Sequence, residues 1–274
     1  MTSGANSAYL LGAEDQERER LLFQGEMFRP EAAALIADVR PPVGGRALDI
    51  GCGPLGVLDL LSAAVGPEGG VAGLDAEPRM VEMARRTVAE RGLGNVELTV
   101  ADAAATGLPR ASFDVVHTRM VLMNVPDSGS VLAEMAALVR PGGALLLQDV
   151  DWMTRVCAPA HPAWDRVVAL VEELWRRNGM DVRIGRKLPA MLRASGFTDV
   201  QVRAHTKVFG QGDPYQMLMA DRAEQCRAAL VGQGMVSDGE LTDLIARLRE
   251  HLDDPGTNVV HATLFQAWGR RPAA

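Results

Sequence analysis

Apolar positions in this chain recur at two spacings, and the two alternate along its middle. Arg46–Ile50, Val71–Leu74, Val96–Val100, Phe113–Thr118 and Ala144–Gln148 are short apolar runs, and they predict five strands. Between them, Leu55–Val65, Pro78–Arg91 and Val131–Val139 carry apolar residues at helical spacing. In Pro78–Arg91 that face is Met80, Val81, Met83, Ala84 and Val88. The third helix is stopped by Pro141-Gly142-Gly143. Strands that alternate with helices predict a mainly parallel sheet covered on both faces.

The flanks read differently. Residues 1–12 show no period, Glu14–Phe28 reads as a helix, and Pro30 opens a second one that ends near Val39, before Pro41-Pro42. Beyond the fifth strand, Pro162–Arg177 is a helix with apolar Trp164, Val167, Val168, Leu170, Val171, Leu174 and Trp175. A helix at Leu188–Ser195 precedes a strand near Val200–Val208. Helical stretches at Pro214–Val231 and Ser237–Leu252 lead to a last strand, Val259–Trp268. Roughly fifty residues separate those two strands, too many for a structureless loop. The expected organisation is a helical flap at 1–40, a core at 41–210, a helical lid inserted at 211–258, and a final core strand at 259–274.

Composition narrows the class. The chain has 274 residues, 47% of them hydrophobic but only 4% aromatic, so its core must pack mainly with Leu, Val, Ala and Met. A formal charge of −7 argues against a nucleic-acid partner. Arg85-Arg86, Arg176-Arg177 and Arg270-Arg271 are short clusters that read as solvated faces. Cys52, Cys157 and Cys226 are too widely spaced for a zinc pattern and fit a reducing compartment. No run approaches the roughly 18 apolar residues of a membrane span, and Met1–Tyr9 lacks a signal-peptide pattern. A cytoplasmic protein is expected. Abundant Ala, Gly, Arg and Val suggests a GC-rich bacterial genome.

The densest chemistry lies at Leu48-Asp49-Ile50-Gly51-Cys52-Gly53-Pro54-Leu55-Gly56, where a strand turns towards a helix. Glycines there let a backbone approach a ligand. Gly51, Gly53 and Gly56 fit the dinucleotide pattern GxGxxG. Two residues oppose that reading: Asp49 would repel a pyrophosphate, and Pro54 has no N–H to offer it. A carboxylate beside a glycine loop suits an ammonium or sulfonium ligand instead. Asp75 ends the second strand, where an acid commonly accepts from ribose hydroxyls. Asp102 follows the third strand, beside small Ala103, and can accept from an adenine amino group. Any one of these acids could be a solvated strand end; three in succession at the carboxyl edge of a parallel sheet mark a ligand site.

The segments ALDIGCGPLG, VAGLDAEPRMVEMAR, VADAAATGLPRASFDVVHTRMVLMNVPD and LVRPGGALLLQDVDW resemble the class I S-adenosylmethionine-dependent methyltransferases, in the small-molecule branch that includes the ubiquinone and menaquinone enzymes. The resemblance implies a Rossmann-like α/β fold: a seven-stranded, mainly parallel sheet with an antiparallel last strand inserted near the edge. It implies S-adenosylmethionine as cofactor, with Gly51 and Gly53 against its methionine part and Asp49 nearby. Asp75 would hold the ribose, Ala76 and Met80 would flank the adenine, and Asp102 and Ala103 would meet its edge. Arg119 and Met120 would approach the methionine end, and Tyr9 and Gln24 would belong to the flap.

The expected acceptor is a small molecule such as a bacterial secondary metabolite, with self-association into a homodimer left open. Of five histidines, His117, His205 and His261 fall in predicted strands and His251 on a charged helix. His161, after the fifth strand, is the candidate base, and Asn124, Asp151 and Trp152 are candidate acceptor contacts. Tyr215 and Met219, with Met217 and Arg222, are candidates from the lid. Asp149 and Asp151 lack histidines at metal-ligand spacing, so no metal is expected. Two competing functions remain: a nicotinamide-dependent oxidoreductase, and a non-methylating S-adenosylmethionine-binding protein such as a cyclase.

Overall fold

The computed structural model describes residues 21–273 apart from Gln24. Expected flap residues Tyr9 and Gln24 therefore lie outside the described residues. The chain forms two units. A sheet unit contains the described parts of Arg18–Asp151, Arg183–His205 and Thr263–Ala274, and a helical unit contains Trp152–Val182 and Thr206–Ala262.

In the sheet unit, β1 (Arg46–Ile50) lies at the centre. It pairs in parallel with β2 (Gly70–Asp75) on one side and β4 (Phe113–Arg119) on the other. β3 (Val96–Val100) extends the sheet beyond β2, and β5 (Val139–Asp151) extends it beyond β4, both in parallel. β7 (Thr198–His205) forms the far edge, and β10 (Thr263–Arg270) inserts between β5 and β7, antiparallel to both. The order is β3-β2-β1-β4-β5-β10-β7, the arrangement the resemblance implied. Four helices of this unit are α1 (Arg29–Val39), α2 (Leu58–Val65), α3 (Pro78–Glu90) and α4 (Ser128–Leu138). α1 contributes Leu35, Ile36 and Val39, and α2 contributes Leu58, Leu61 and Val65, to a core shared with Ala47, Val71, Val115 and Leu146 of the strands. β4 is buried from Phe113 to Thr118, as expected of a central strand covered on both faces.

Several boundaries moved for local reasons. The helix expected from Leu55 starts at Leu58, because the glycine loop occupies the intervening residues. α4 starts at Ser128 rather than Val131, since the Asp127 carboxylate caps the Ser130 N–H at 3.0 Å. Pro141-Gly142-Gly143 does not precede a strand but loops out of β5, whose register with β4 jumps from Phe113↔Val139 to Val115↔Ala144.

The strands expected at Val200–Val208 and Val259–Trp268 are each divided. β7 ends at His205, and Val208–Phe209 form β8 of another sheet. Likewise Asn258–Val260 form β9, separate from β10. β8, β9 and β6 (Val156–Ala158) make a small antiparallel sheet within the helical unit, in the order β6-β9-β8. A two-residue break keeps the alternation of apolar positions, so the sequence pattern runs through it unmarked. The sheet unit also contains α6 (Leu188–Ala194). The helical unit adds α5 (Pro162–Arg177), α7 (Leu218–Gln225), α8 (Arg227–Gly232) and α9 (Asp238–Leu252). The single helix expected over Pro214–Val231 is a 3-10 turn, Pro214–Met217, followed by α7 and α8, which meet at Cys226. Among the described residues, no helix is long and apolar enough to cross a membrane.

Candidate functional site

The glycine loop follows β1 at the carboxyl edge of the sheet. Gly51, Gly53 and Gly56 have φ of 70°, 52° and 56°, values that L side chains rarely adopt. Their surroundings differ. A Cβ on Gly51 would meet Val121 Cγ2 at 2.2 Å, and one on Gly56 would meet Asp49 Oδ2 at 2.2 Å and the Cys52 carbonyl at 2.8 Å. A Cβ on Gly53 would meet nothing within 4 Å. Gly51 and Gly56 therefore serve the packing of the loop, while Gly53 faces open space.

Four donors of this loop are occupied. Gly51 and Cys52 N–H both donate to the Leu74 carbonyl, at 2.8 and 2.9 Å. Gly53 N–H donates to Asp75 Oδ2 at 3.0 Å, and Val57 N–H to Asp49 Oδ2 at 3.0 Å. Pro54 has no N–H. A pyrophosphate needs such donors, and these four are already taken.

Asp49 is 1% exposed, and its second oxygen is bound by His117 Nδ1 at 2.7 Å. The carboxylate expected near the methionine part of a ligand thus has both oxygens engaged within the protein. His117 Nε2 lies 2.7 Å from Gln148 Nε2, Gln148 Oε1 accepts from Gln266 Nε2 at 2.9 Å, and Gln266 Oε1 lies 3.1 Å from His205 Nε2. One polar chain therefore crosses β1, β4, β5, β10 and β7. Gln148 donates to His117, which gives His117 the Nδ1–H tautomer and makes it the donor to Asp49. His117, Gln148 and Gln266 are all 0% exposed.

Asp75 Oδ1 accepts from Glu77 N–H at 3.0 Å and Oδ2 from Gly53 N–H, which joins the ends of β1 and β2. Burial raises its pKa; the two backbone N–H groups act the other way, and Asp49 adds a smaller upward push. Burial, then Asp49 and Asp75, push the Cys52 thiol well up, so Cys52 is no nucleophile. Asp102 is exposed and turns its own loop, accepting from Ala104 N–H at 2.8 Å. Ala76 is exposed and Met80 half-buried at the start of α3. Arg119, at the end of β4, reaches the Gly56 carbonyl at 3.4 Å. Met120 has φ 56°, and its carbonyl accepts the Asn124 amide at 2.7 Å. Asn124 thus holds the turn after β4. Asp149 Oδ2 accepts Met123 N–H at 3.1 Å, and Asp151 is buried in an ion pair with Arg186.

The other expected residues lie in the helical unit. His161 caps α5, its Nδ1 accepting Ala163 N–H at 3.2 Å. Its ring stacks on His251 with centroids 4.4 Å apart, so His251 of the charged helix is its packing partner. Trp152 packs on Trp175 with centroids 5.5 Å apart. Tyr215 and Met219 are both buried. Among the described residues, no group of three or more His, Cys, Asp or Glu side chains could hold a metal. The sequence reading passed over Gln148 and Gln266. Their signal in the sequence is a single amide within each apolar run; the register of β5 and β10 then sets them face to face.

A family model for a methyltransferase domain matches residues 43–206. The demethylmenaquinone methyltransferase of Geobacillus kaustophilus is 35% identical over 175 residues, 60% of this chain and 75% of that protein. The aklanonic acid methyltransferase of Streptomyces sp. strain C5 is 39% identical over 120 residues, 44% of this chain and 54% of its own. Several curated relatives are matched over about half their length, at 55%, 54% and 43%. A methyltransferase crystal structure from Bacillus halodurans superposes with a TM-score of 0.61 at 20% identity, covering 88% of this chain and 99% of its own. That likeness is one of fold.

Proposed function

This chain belongs to the class I S-adenosylmethionine-dependent methyltransferases, and on that premise we propose that it transfers a methyl group to a small organic acceptor. The observation that carries the reading is the glycine loop. The N–H groups of Gly51, Cys52, Gly53 and Val57 are consumed internally, the loop is bordered by the Asp75 carboxylate, and of its three glycines only Gly53 faces open space. That suits a cationic adenosyl ligand better than the pyrophosphate of a dinucleotide. The names of the relatives, a demethylmenaquinone and an aklanonic acid methyltransferase, support a small acceptor.

In this reading Gly53 lies against the methionine part of the cofactor, Asp75 accepts from the ribose, Ala76 and Met80 flank the adenine, and Asp102 with Ala103 meets its edge. Arg119 and Met120 border the methionine end. Asp49 acts through the loop, holding Val57 and the turn. S-adenosylmethionine supplies an electrophilic methyl on a sulfonium. Transfer breaks the S–C bond, leaves its electron pair on sulfur and forms the bond to the acceptor. The protein's work is orientation, exclusion of water and disposal of any acceptor proton. The sheet unit is proposed to bind the cofactor and the helical unit, including 211–258, to recognise the acceptor.

Two variants test the loop. Gly53→Ala should fold, at a cost of about 1–2 kcal/mol for its positive φ, yet bind S-adenosylhomocysteine at least about tenfold more weakly (~1.4 kcal/mol). Gly56→Ala should lower the melting temperature more, because its Cβ meets fixed backbone and Asp49. Calorimetry and thermal melts separate the two. Equal cofactor affinity in Gly53→Ala and wild type would remove Gly53 from the site.

Function is tested with methyl-labelled S-adenosylmethionine and a cell extract. Label should pass to a small extractable compound, and S-adenosylhomocysteine but not NADH should raise the melting temperature. Label that never leaves the cofactor would favour a non-methylating protein, and stabilisation by NADH would favour an oxidoreductase.

A further inference from the structure

The polar chain across the sheet has a direction, and one backbone group sets it. The Glu31 carbonyl of α1 can only accept, and Gln266 Nε2 donates to it at 3.0 Å. That contact fixes which end of the Gln266 amide is nitrogen. The same nitrogen donates to Gln148 Oε1 at 2.9 Å. The Gln148 oxygen is thus turned towards Gln266, and its nitrogen towards His117 Nε2, 2.7 Å away. Only a lone pair on His117 Nε2 can meet that nitrogen. His117 therefore carries a single ring proton, on Nδ1, and donates it to Asp49. The far end agrees, because Gln266 Oε1 faces His205 Nε2 at 3.1 Å.

The consequence is electrical. A carboxylate at hydrogen-bond distance favours the imidazolium form of a histidine. Gln148 opposes it by aiming hydrogens at the one ring nitrogen that could take the second proton. His117 then holds Asp49 as a neutral donor, and the carboxylate charge is oriented without being cancelled. Asp49, His117, Gln148 and Gln266 are all buried, so water screens that charge weakly. The charge reaches the glycine loop. Burial is the first cause that raises both Cys52 and Asp75, and Asp49 adds to both. Along the chain the charged and titratable groups are Asp49 on β1, His205 on β7 and Glu31 on α1; in the loop beyond Asp49 they are Cys52 and Asp75.

We propose that Gln148 is a positioning residue that holds His117 neutral, so that the uncompensated Asp49 charge favours S-adenosylmethionine over its product S-adenosylhomocysteine. Transfer removes the positive charge from sulfur. A fixed negative charge by the loop therefore attracts the methyl donor and not the thioether left behind. The two ligands share their other ionisable groups, so the ratio of their affinities isolates this one charge. Gln148 acts through His117 and Asp49. This inference rests on the methyltransferase reading and assigns a residue to the cofactor preference of that same enzyme.

The test uses calorimetry of both ligands on the full chain between about pH 6 and pH 8, where histidine changes charge. In wild type the affinity of S-adenosylmethionine relative to S-adenosylhomocysteine should stay constant over that range. Gln148→Ala opens a polar space that water can enter, and water accepts as readily as it donates, so His117 Nε2 can take a proton. In that variant the ratio should fall at least about fivefold at the lower pH, as the imidazolium cancels the Asp49 charge. Wild type contains the same His205 and Asp75 and is the control for both. Asp49→Asn should lower the ratio at least about fivefold at either pH. Nitrogen-15 NMR reads the proton directly: His117 should carry one proton in wild type throughout, and two in Gln148→Ala at the lower pH. A ratio that stays flat in Gln148→Ala, an unchanged ratio in Asp49→Asn, or a doubly protonated His117 in wild type overturns the proposal. Failure of the wild-type protein to bind either ligand sinks the methyltransferase reading instead. The wild-type spectrum stands even where a variant does not fold.

Discussion

Replacing His117 with Leu should destabilise the protein by about 3 kcal/mol or more, the cost of leaving a buried carboxylate oxygen and a buried amide without a hydrogen-bond partner. His117 Nδ1 holds Asp49 Oδ1 at 2.7 Å, and both side chains are buried to within 1% of full burial. Leu would leave that oxygen and the Gln148 amide without partners in the middle of a seven-stranded sheet. The melting temperature should fall by roughly 10 °C. The loss should also reach the ligand loop, because Asp49 is the acceptor that holds Val57 N–H. A cycle with Asp49→Asn separates the two effects: the double variant should be less destabilised than the sum of the singles. A His117→Leu protein within about 0.5 kcal/mol of wild type, the range of an ordinary surface substitution, would show that the chain of side chains across the sheet is incidental.

The second large effect concerns Asp75. Asp75→Ala should weaken S-adenosylhomocysteine binding by about 10- to 100-fold, in line with roughly 1.5–3 kcal/mol for hydrogen bonds to a charged group. Its pH dependence has a defined sign. Burial raises the folded pKa above the ordinary value of 3.8, so the folded cofactor-free protein holds a proton that the unfolded chain releases earlier. Stability without ligand therefore declines as pH rises from the unfolded pKa through the folded one. Ligand hydroxyls donate to the ionised carboxylate, so ligand affinity should rise with pH over that window and then level off. Asp75→Asn keeps one acceptor oxygen for the loop, and should flatten the affinity profile while leaving the fold intact. Calorimetry in the acid range reads both. An identical profile in wild type and Asp75→Asn would take Asp75 out of ligand binding.

The glycine loop and the strand-end acids were legible because these residues are local in sequence. Gly51, Gly53 and Gly56 announce a loop that needs positive φ, and Asp75 and Asp102 each end a strand whose apolar run is visible. What the sequence did not separate was the work of each glycine. Gly51 and Gly56 are packed against Val121 and Asp49, which lie on other turns of the chain, and only Gly53 borders open space. Asp49 was read as a ligand neighbour because a strand-end acid beside a glycine loop commonly is one. Its partner within the protein, His117, is 68 residues away and reaches it through the pairing of β1 with β4.

By itself, the sequence determined the alternation of strands and helices, the parallel sheet, the glycine loop and the acids beside it. Each of these rests on spacing within a few residues, where hydrophobic period and backbone sterics act directly. Tertiary structure decided what depends on register between distant strands. It aligned Gln148 with Gln266, divided the last two strands so that β8 and β9 joined a second sheet, and looped Pro141-Gly142-Gly143 out of β5. It also set the Gln148 amide against His117. The physical reason is the same in each case. Alternation tells which face of a strand is buried but not which strand lies beside it, and a lone amide shows its purpose only when its neighbours are known.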